Sequence, residues 1–173
     1  MRWEKKLSKN AFKNYHYSRG YLRFSLSELF NISPLEVPLI ANPGAQPVLT
    51  NNNGYISLSH CDEILLIAWA PFNIGVDVEN KNRIFAAEKI SKRFFHESEQ
   101  KELNKIDKSL FPMEVLKYWT IKEAAYKWQK KKEKTDFLQW ESIQNFSIAV
   151  NKKINLIVNT YLVIYENFFF GIA

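Results

Sequence analysis

The sequence predicts an α+β fold built as two similar halves. Three observations carry this: a helix-then-strands pattern that occurs twice, apolar residues at helical spacing in two well-separated stretches, and β-rich runs after each of them. Each half is expected to pack a small antiparallel sheet against a long helix. The boundary is expected near Gly75, giving residues 1–74 and 75–173, with a site in the cleft between them.

Composition sets the outer limits. At 173 residues and 46% hydrophobic, the chain can bury one good core or two small ones on a common plan. The formal charge of +6 favours acidic partners without choosing among nucleic acid, membrane, phosphorylated small molecule or protein. Cys61 is alone, so no internal disulfide forms. No apolar run reaches the roughly 18 residues that span a bilayer, and the first residues lack the apolar core of a signal peptide. A cytoplasmic protein is the expectation.

Residues 1–17, with Lys5, Lys6, Lys13, Tyr15, His16 and Tyr17, read as an exposed basic arm or helix. From Ser18, the apolar residues Tyr21, Leu22, Leu26, Leu29 and Phe30 recur at helical intervals, and Asn31, Ser33 and Pro34 stop the helix. Arg19 and Arg23 lie four apart on it and point the same way, an arrangement eased by an anion between them. The alternative is two solvated arginines. Residues 38–54 carry Pro38, Pro43, Gly44, Pro47, three asparagines and Gly54, which is loop chemistry with a short extended piece at Val48–Leu49.

Tyr55 to Ser59 alternates as a strand, and Ile64 to Ala70 reads as a buried one. Ser59-His60-Cys61-Asp62 is placed at the hairpin end between them. In Gly75-Val76-Asp77-Val78-Glu79, alternation puts the valines on one face and both carboxylates on the other. Paired carboxylates repel unless a cation is shared. An oxygen-only donor set suits Mg²⁺, and the plainer reading is an exposed acidic edge strand.

Residues 83–96 read as helical, with Ala87, Ile90 and Phe94 on one face, and a short helix begins at Glu97. After a break at Asp107–Phe111 comes one long central helix, Phe111 to Trp128. Ile121, Ala124, Ala125 and Trp128 form its core stripe; Trp119, Glu123 and Lys127 fall on the opposite side. Glu123 and Lys127 alone would be a surface ion pair. With Asp77 and Glu79 they suggest a metal site. Lys130 to Lys134 follow as a solvated helix end. From Phe137 the chain turns to β character, with strands at 145–150, 154–159, 161–165 and 168–173 in one antiparallel sheet.

The ordered set Ser59-His60, Gly75-Val76-Asp77-Val78-Glu79 and Trp119-Thr120-Ile121-Lys122-Glu123-Ala124-Ala125-Tyr126-Lys127 resembles the signature of the phosphopantetheinyl transferases of the surfactin-synthetase-activating type. The likeness runs from Ser18 to the end, and includes an R-x-x-x-R helix from Arg19 and an F-x-x-x-E turn from Phe95 to Glu99. The resemblance implies a pseudo-dimer within a monomer, with the first strand of its N-terminal half shortened or missing. It implies Mg²⁺-dependent transfer of the 4′-phosphopantetheine arm of coenzyme A to a serine of an apo acyl or peptidyl carrier protein, releasing adenosine 3′,5′-bisphosphate. Asp77, Glu79 and Glu123 are then the metal ligands. Glu123, or a metal-bound water, deprotonates the serine, and Lys127 stabilises the leaving phosphate. Arg19, Arg23, Ser59, His60 and Lys122 are the coenzyme contacts.

The chain departs from the pattern at Gly44-Ala45-Gln46-Pro47, which lacks the usual lysine, and at Gln129, where glycines usually follow. These departures motivate a second reading: a weakened homologue that binds carrier protein or coenzyme A without efficient transfer. A nucleic-acid-binding domain is supported only by charge and aromatics, and no membrane or nucleic-acid partner is expected.

Overall fold

The computed structural model describes residues 9–42, 45–62, 64–129 and 137–173. Lys5 and Lys6 of the basic arm, Gly44 of the proline-rich loop and the lysine run 130–134 lie outside the described residues. The chain forms two compact units, Met1–Ile56 and Ser57–Ala173.

The first unit is a long helix and a short ladder. Helix α1 spans Lys9–Phe30, so it begins well before Ser18. It buries Leu22 and Leu26, while Tyr21 and Leu29 remain more than half exposed. Asn31 ends it in the left-handed conformation at φ 52°, with Asn31 N–H donating to Glu28 O and Ile32 N–H to Ser27 O. Those two bonds satisfy carbonyls that the helix leaves open, and asparagine tolerates the backbone they require. Strands β1 (Leu39–Ile40) and β2 (Val48–Leu49) then pair antiparallel.

The second unit is an α+β assembly of small sheets around one helix. Strand β3 (Tyr55–Cys61) pairs with β4 (Ile64–Ala70). Ser59, His60 and Cys61 are therefore the last residues of a strand, at the hairpin end, and the turn itself starts at Asp62, with φ 52°. Strand β5 (Val76–Asn80) leads through helices α2 (Ala87–Phe94) and α3 (Glu97–Leu103) to α4, Phe111–Trp128. A 3₁₀ turn at Phe137–Gln139 precedes β6 (Trp140–Ile143), β7 (Ile148–Asn151), β8 (Leu156–Asn159), β9 (Tyr161–Tyr165) and β10 (Phe168–Ile172).

These last strands form two sheets and not the one expected. β6, β7 and β8 make a meander, whereas β10 lies between β9 and the distant β5. Thr160, the single residue between β8 and β9, marks the switch: its N–H donates to Ser147 O and its hydroxyl to Phe146 O. Local alternation specifies that a segment is a strand, but not which distant strand it will join.

Helix α4 is covered on more than one side. Ile121 and Ala125 pack with Trp140, Ala149 and Val158, while Val115 joins Ala87, Phe95 and Leu103. Trp119 is not on an open face; its ring lies 5.6 Å from that of Phe94 and 4.8 Å from that of Phe137. The third side of α4 lies on the β5–β10 ladder, and glycines let it come close. A Cβ on Gly75 would stand 2.0 Å from Ala124 O, and one on Gly171 would stand 2.7 Å from Thr120 O. No helix among the described residues is long and apolar enough to cross a membrane.

Candidate active site

The glycine contact determines where the carboxylates point. Residues two apart on a strand share a face, so Asp77 and Glu79 project to the side on which Gly75 meets α4. Gly171 sits directly across from Asp77 and Phe169 across from Glu79. Both carboxylates are buried, at 4% and 7% exposure, which rules out an exposed acidic edge strand.

Asp77 is held by a compact polar knot. Ser59 Oγ donates to Asp77 Oδ1 at 2.6 Å, Lys127 Nζ reaches the same oxygen at 2.7 Å, and Lys127 also donates to Ser59 Oγ at 3.1 Å. Ser57 Oγ fixes the strand beneath by accepting from Val76 N–H. The other oxygen, Asp77 Oδ2, is buried without a hydrogen-bond partner. Burying a carboxylate oxygen unpaired is costly, and an oxygen in that state suits an added cation.

Glu79 is paired differently. Arg83 Nη1 lies 2.7 Å from both of its oxygens. Burial pushes the Glu79 carboxyl above its ordinary range, the Arg83 bond opposes this, and the Asp77 charge adds to the rise. Glu123 comes from α4. Burial raises its carboxyl too, Lys127 opposes, and the charges of Asp77 and Glu79 raise it further. Three carboxylates thus share one field with two cations, Lys127 and Arg83.

Among the described residues, no group of three or more His, Cys, Asp or Glu side chains converges tightly enough to hold a metal as the side chains stand. The donor chemistry nevertheless fits a hard divalent cation. All three groups supply oxygen, the charges of Asp77 and Glu79 act on Glu123, and one buried oxygen lacks a partner.

The remaining expected residues separate into distinct settings. His60 is exposed and lines a cavity of about 570 Å³ with Cys61, Asp62, Glu79, Asn80 and Arg83. Burial raises the Cys61 thiol, keeping it protonated, and its sulfur accepts from Asn80 N–H. Arg19, in the first unit, donates to Ala45 O while its Nε is buried without a partner. Arg23 is taken up differently from the shared-anion expectation: its guanidinium donates to the carbonyls of Pro34, Val37 and Leu39. Those groups follow the helix stop and need donors.

Lys122 is also placed otherwise than expected of a coenzyme contact. It is fully buried, and its ammonium lies 2.6 Å from Glu99 Oε2. Arg83 and Glu99 are the residues that sequence reasoning left without a polar role. The available signals were weak: Arg83 stands four residues after Glu79, and Glu99 closes the F-x-x-x-E turn.

Residues 73–168 match the family model described as the ACPS 4′-phosphopantetheinyl transferase superfamily, more than half the chain. Among solved structures, the holo-[acyl-carrier-protein] synthase of Thermotoga maritima is similar, with 16% identity and a TM-score of 0.43. That similarity covers 58% of this chain and 60% of the synthase chain. No curated protein matches the sequence.

Proposed function

We propose, for a chain that belongs to the 4′-phosphopantetheinyl transferase superfamily, that it moves the 4′-phosphopantetheine arm of coenzyme A onto a serine of an apo carrier protein. The observation that carries this is the convergence of β5 and α4: Asp77, bound by Ser59 and Lys127, shares a buried field with Glu79 and Glu123. Asp77, Glu79 and Glu123 would hold Mg²⁺. When bound, the ion would neutralise charge on the pyrophosphate.

The chain's own groups supply the rest. The carrier serine oxygen attacks the phosphorus that bears the pantetheine arm, and the bond to the nucleotide phosphate breaks. Glu123 takes the serine proton, and burial suits it to the task by raising its proton affinity. Lys127 is one-quarter exposed, so its ammonium is positioned to donate to the departing phosphate of adenosine 3′,5′-bisphosphate. His60, exposed on β3, is assigned to the coenzyme phosphates, while the hydroxyl of its neighbour Ser59 is held by Asp77 and Lys127. Arg23 and Lys122 are left out, because their charged groups are already committed. The working form is a cytoplasmic monomer.

Intact-mass spectrometry of an apo acyl or peptidyl carrier protein, incubated with the protein, coenzyme A and Mg²⁺, tests the proposal. A gain of one phosphopantetheine arm that EDTA prevents is expected. Coenzyme binding by folded protein with no gain on any carrier would instead favour a binding homologue that has lost transfer.

A further inference from the structure

A buried polar group in the second unit lies outside the chemistry just described. Glu99, at 2% exposure, accepts three hydrogen bonds from three elements. Its Oε1 accepts from Ser142 N–H on β6 at 2.8 Å. Its Oε2 accepts from His96 N–H at the start of α3, at 2.7 Å, and from Lys122 Nζ on α4, at 2.6 Å. The rings of Phe95 and Phe137 close over the ammonium at 5.0 and 5.7 Å.

Stability alone is a poor reason for such a pair. Two charges removed from water recover little more than they lose, and an apolar pair of similar volume is often as stable or more so. What the pair provides is direction. The contact of α4 with β5 and β10 is made over Gly75 and Gly171. Close packing over glycine sets a distance; the Lys127–Asp77 bond ties α4 to β5 one turn beyond Glu123, and the Lys122–Glu99 pair ties the helix to α3 and β6 on its other side.

We infer that the Lys122–Glu99 pair is a positioning device: it locks α4 to α3 and β6 so that the next residue, Glu123, faces Asp77 and Glu79. The assignment rests on the transferase reading of Glu123. Lys122 touches neither substrate nor metal in this assignment, and its influence passes through the helix.

The test compares the wild type with Lys122→Met, Glu99→Gln and the double variant in carrier modification, coenzyme binding and thermal unfolding. Each single variant leaves one partner buried alone and lowers the melting temperature. The double variant carries no buried charge, and the amide oxygen that Glu99→Gln introduces still accepts from Ser142 N–H while His96 N–H loses its acceptor, so it regains most of the stability that the single variants lose. Its kcat is expected to stay depressed on the order of 10²-fold, as for a misplaced catalytic group, with KM for coenzyme A unchanged. Recovery of kcat along with stability would reduce the pair to a structural role. A raised KM with kcat intact would make Lys122 a coenzyme contact; either result overturns the inference. Amide hydrogen exchange decides the matter even where the wild-type chain transfers nothing, which would be a failure of the transferase reading alone. Residues 120–125 must exchange faster in the double variant than in wild type by more than the difference in global stability accounts for, and equal protection refutes the lock.

Discussion

Glu123 is under opposing demands, and its chemistry follows from them. Burial raises its carboxyl, with Asp77 and Glu79 adding to the rise and Lys127 opposing it. A carboxylate with a raised folded-state pKa binds more protons in the native than in the unfolded chain, so stability falls as pH rises through the interval between the two values. Glu123→Gln should therefore raise the melting temperature at neutral pH in metal-free buffer. The gain should vanish in acid, below the ordinary carboxylate range, where Glu123 is protonated in both states. The same variant should lose transfer by about 10²-fold or more, since no base remains to take the serine proton. Asp77→Ala should lose transfer as well, because it removes the carboxylate that Ser59 and Lys127 are arranged around. Thermal scans across pH, run beside intact-mass assays, check both expectations. A Glu123→Gln protein that is fully active would remove the base assignment, and one no more stable than wild type at neutral pH would refute the burial argument.

At the scale of elements, the site exists because a helix lies against a strand with nothing between them. A Cβ at Gly75 would meet the backbone of α4 at 2.0 Å from Ala124 O and 2.3 Å from Trp128 N, and backbone cannot rotate away. Gly75→Ala is expected to destabilise the fold by about 3 kcal/mol or more, and Gly171→Ala, with its nearest atom at 2.7 Å, by less. Urea unfolding of both variants measures the difference, and equal effects would show that α4 is not seated on Gly75. The sequence made much of this arrangement readable. Phe111–Trp128 and Tyr161–Tyr165 carry their own periodicity, and the spacing within Gly75–Glu79 places the two carboxylates on one face. What stayed hidden depends on partners far along the chain. Pairing of β10 with β5 and Glu99 under Lys122 are tertiary matches that no local period encodes, while Arg83, though only four residues from Glu79, lies past the end of β5, where no strand or helix period relates the two. The helical wheel placed Trp119 with Glu123 and Lys127 for a related reason: a wheel assumes one buried face, and α4 is packed on several.

At the scale of the whole molecule, the balance of 24 basic against 18 acidic residues gives a net charge of +6. Charge of this kind acts at a distance, on encounter, and not on the buried chemistry. The distinction is testable because salt reaches the two differently. Exposed charges are screened over about 10 Å at 0.1 M salt and about 3 Å at 1 M, while buried pairs such as Lys127–Asp77 are screened much less. If docking of an acidic carrier uses the net positive surface, kcat/KM for the carrier should fall steeply as sodium chloride is raised from low concentration at saturating coenzyme A. The value of kcat at saturating carrier should change little. A second carrier with its acidic surface residues neutralised should start lower and show a flatter salt dependence, which separates screening of docking from any effect on the coenzyme. Steady-state kinetics over a salt series with both carriers measures this. A kcat/KM independent of salt would mean that the carrier is held by apolar contacts, and the basic excess would then have no part in choosing the partner.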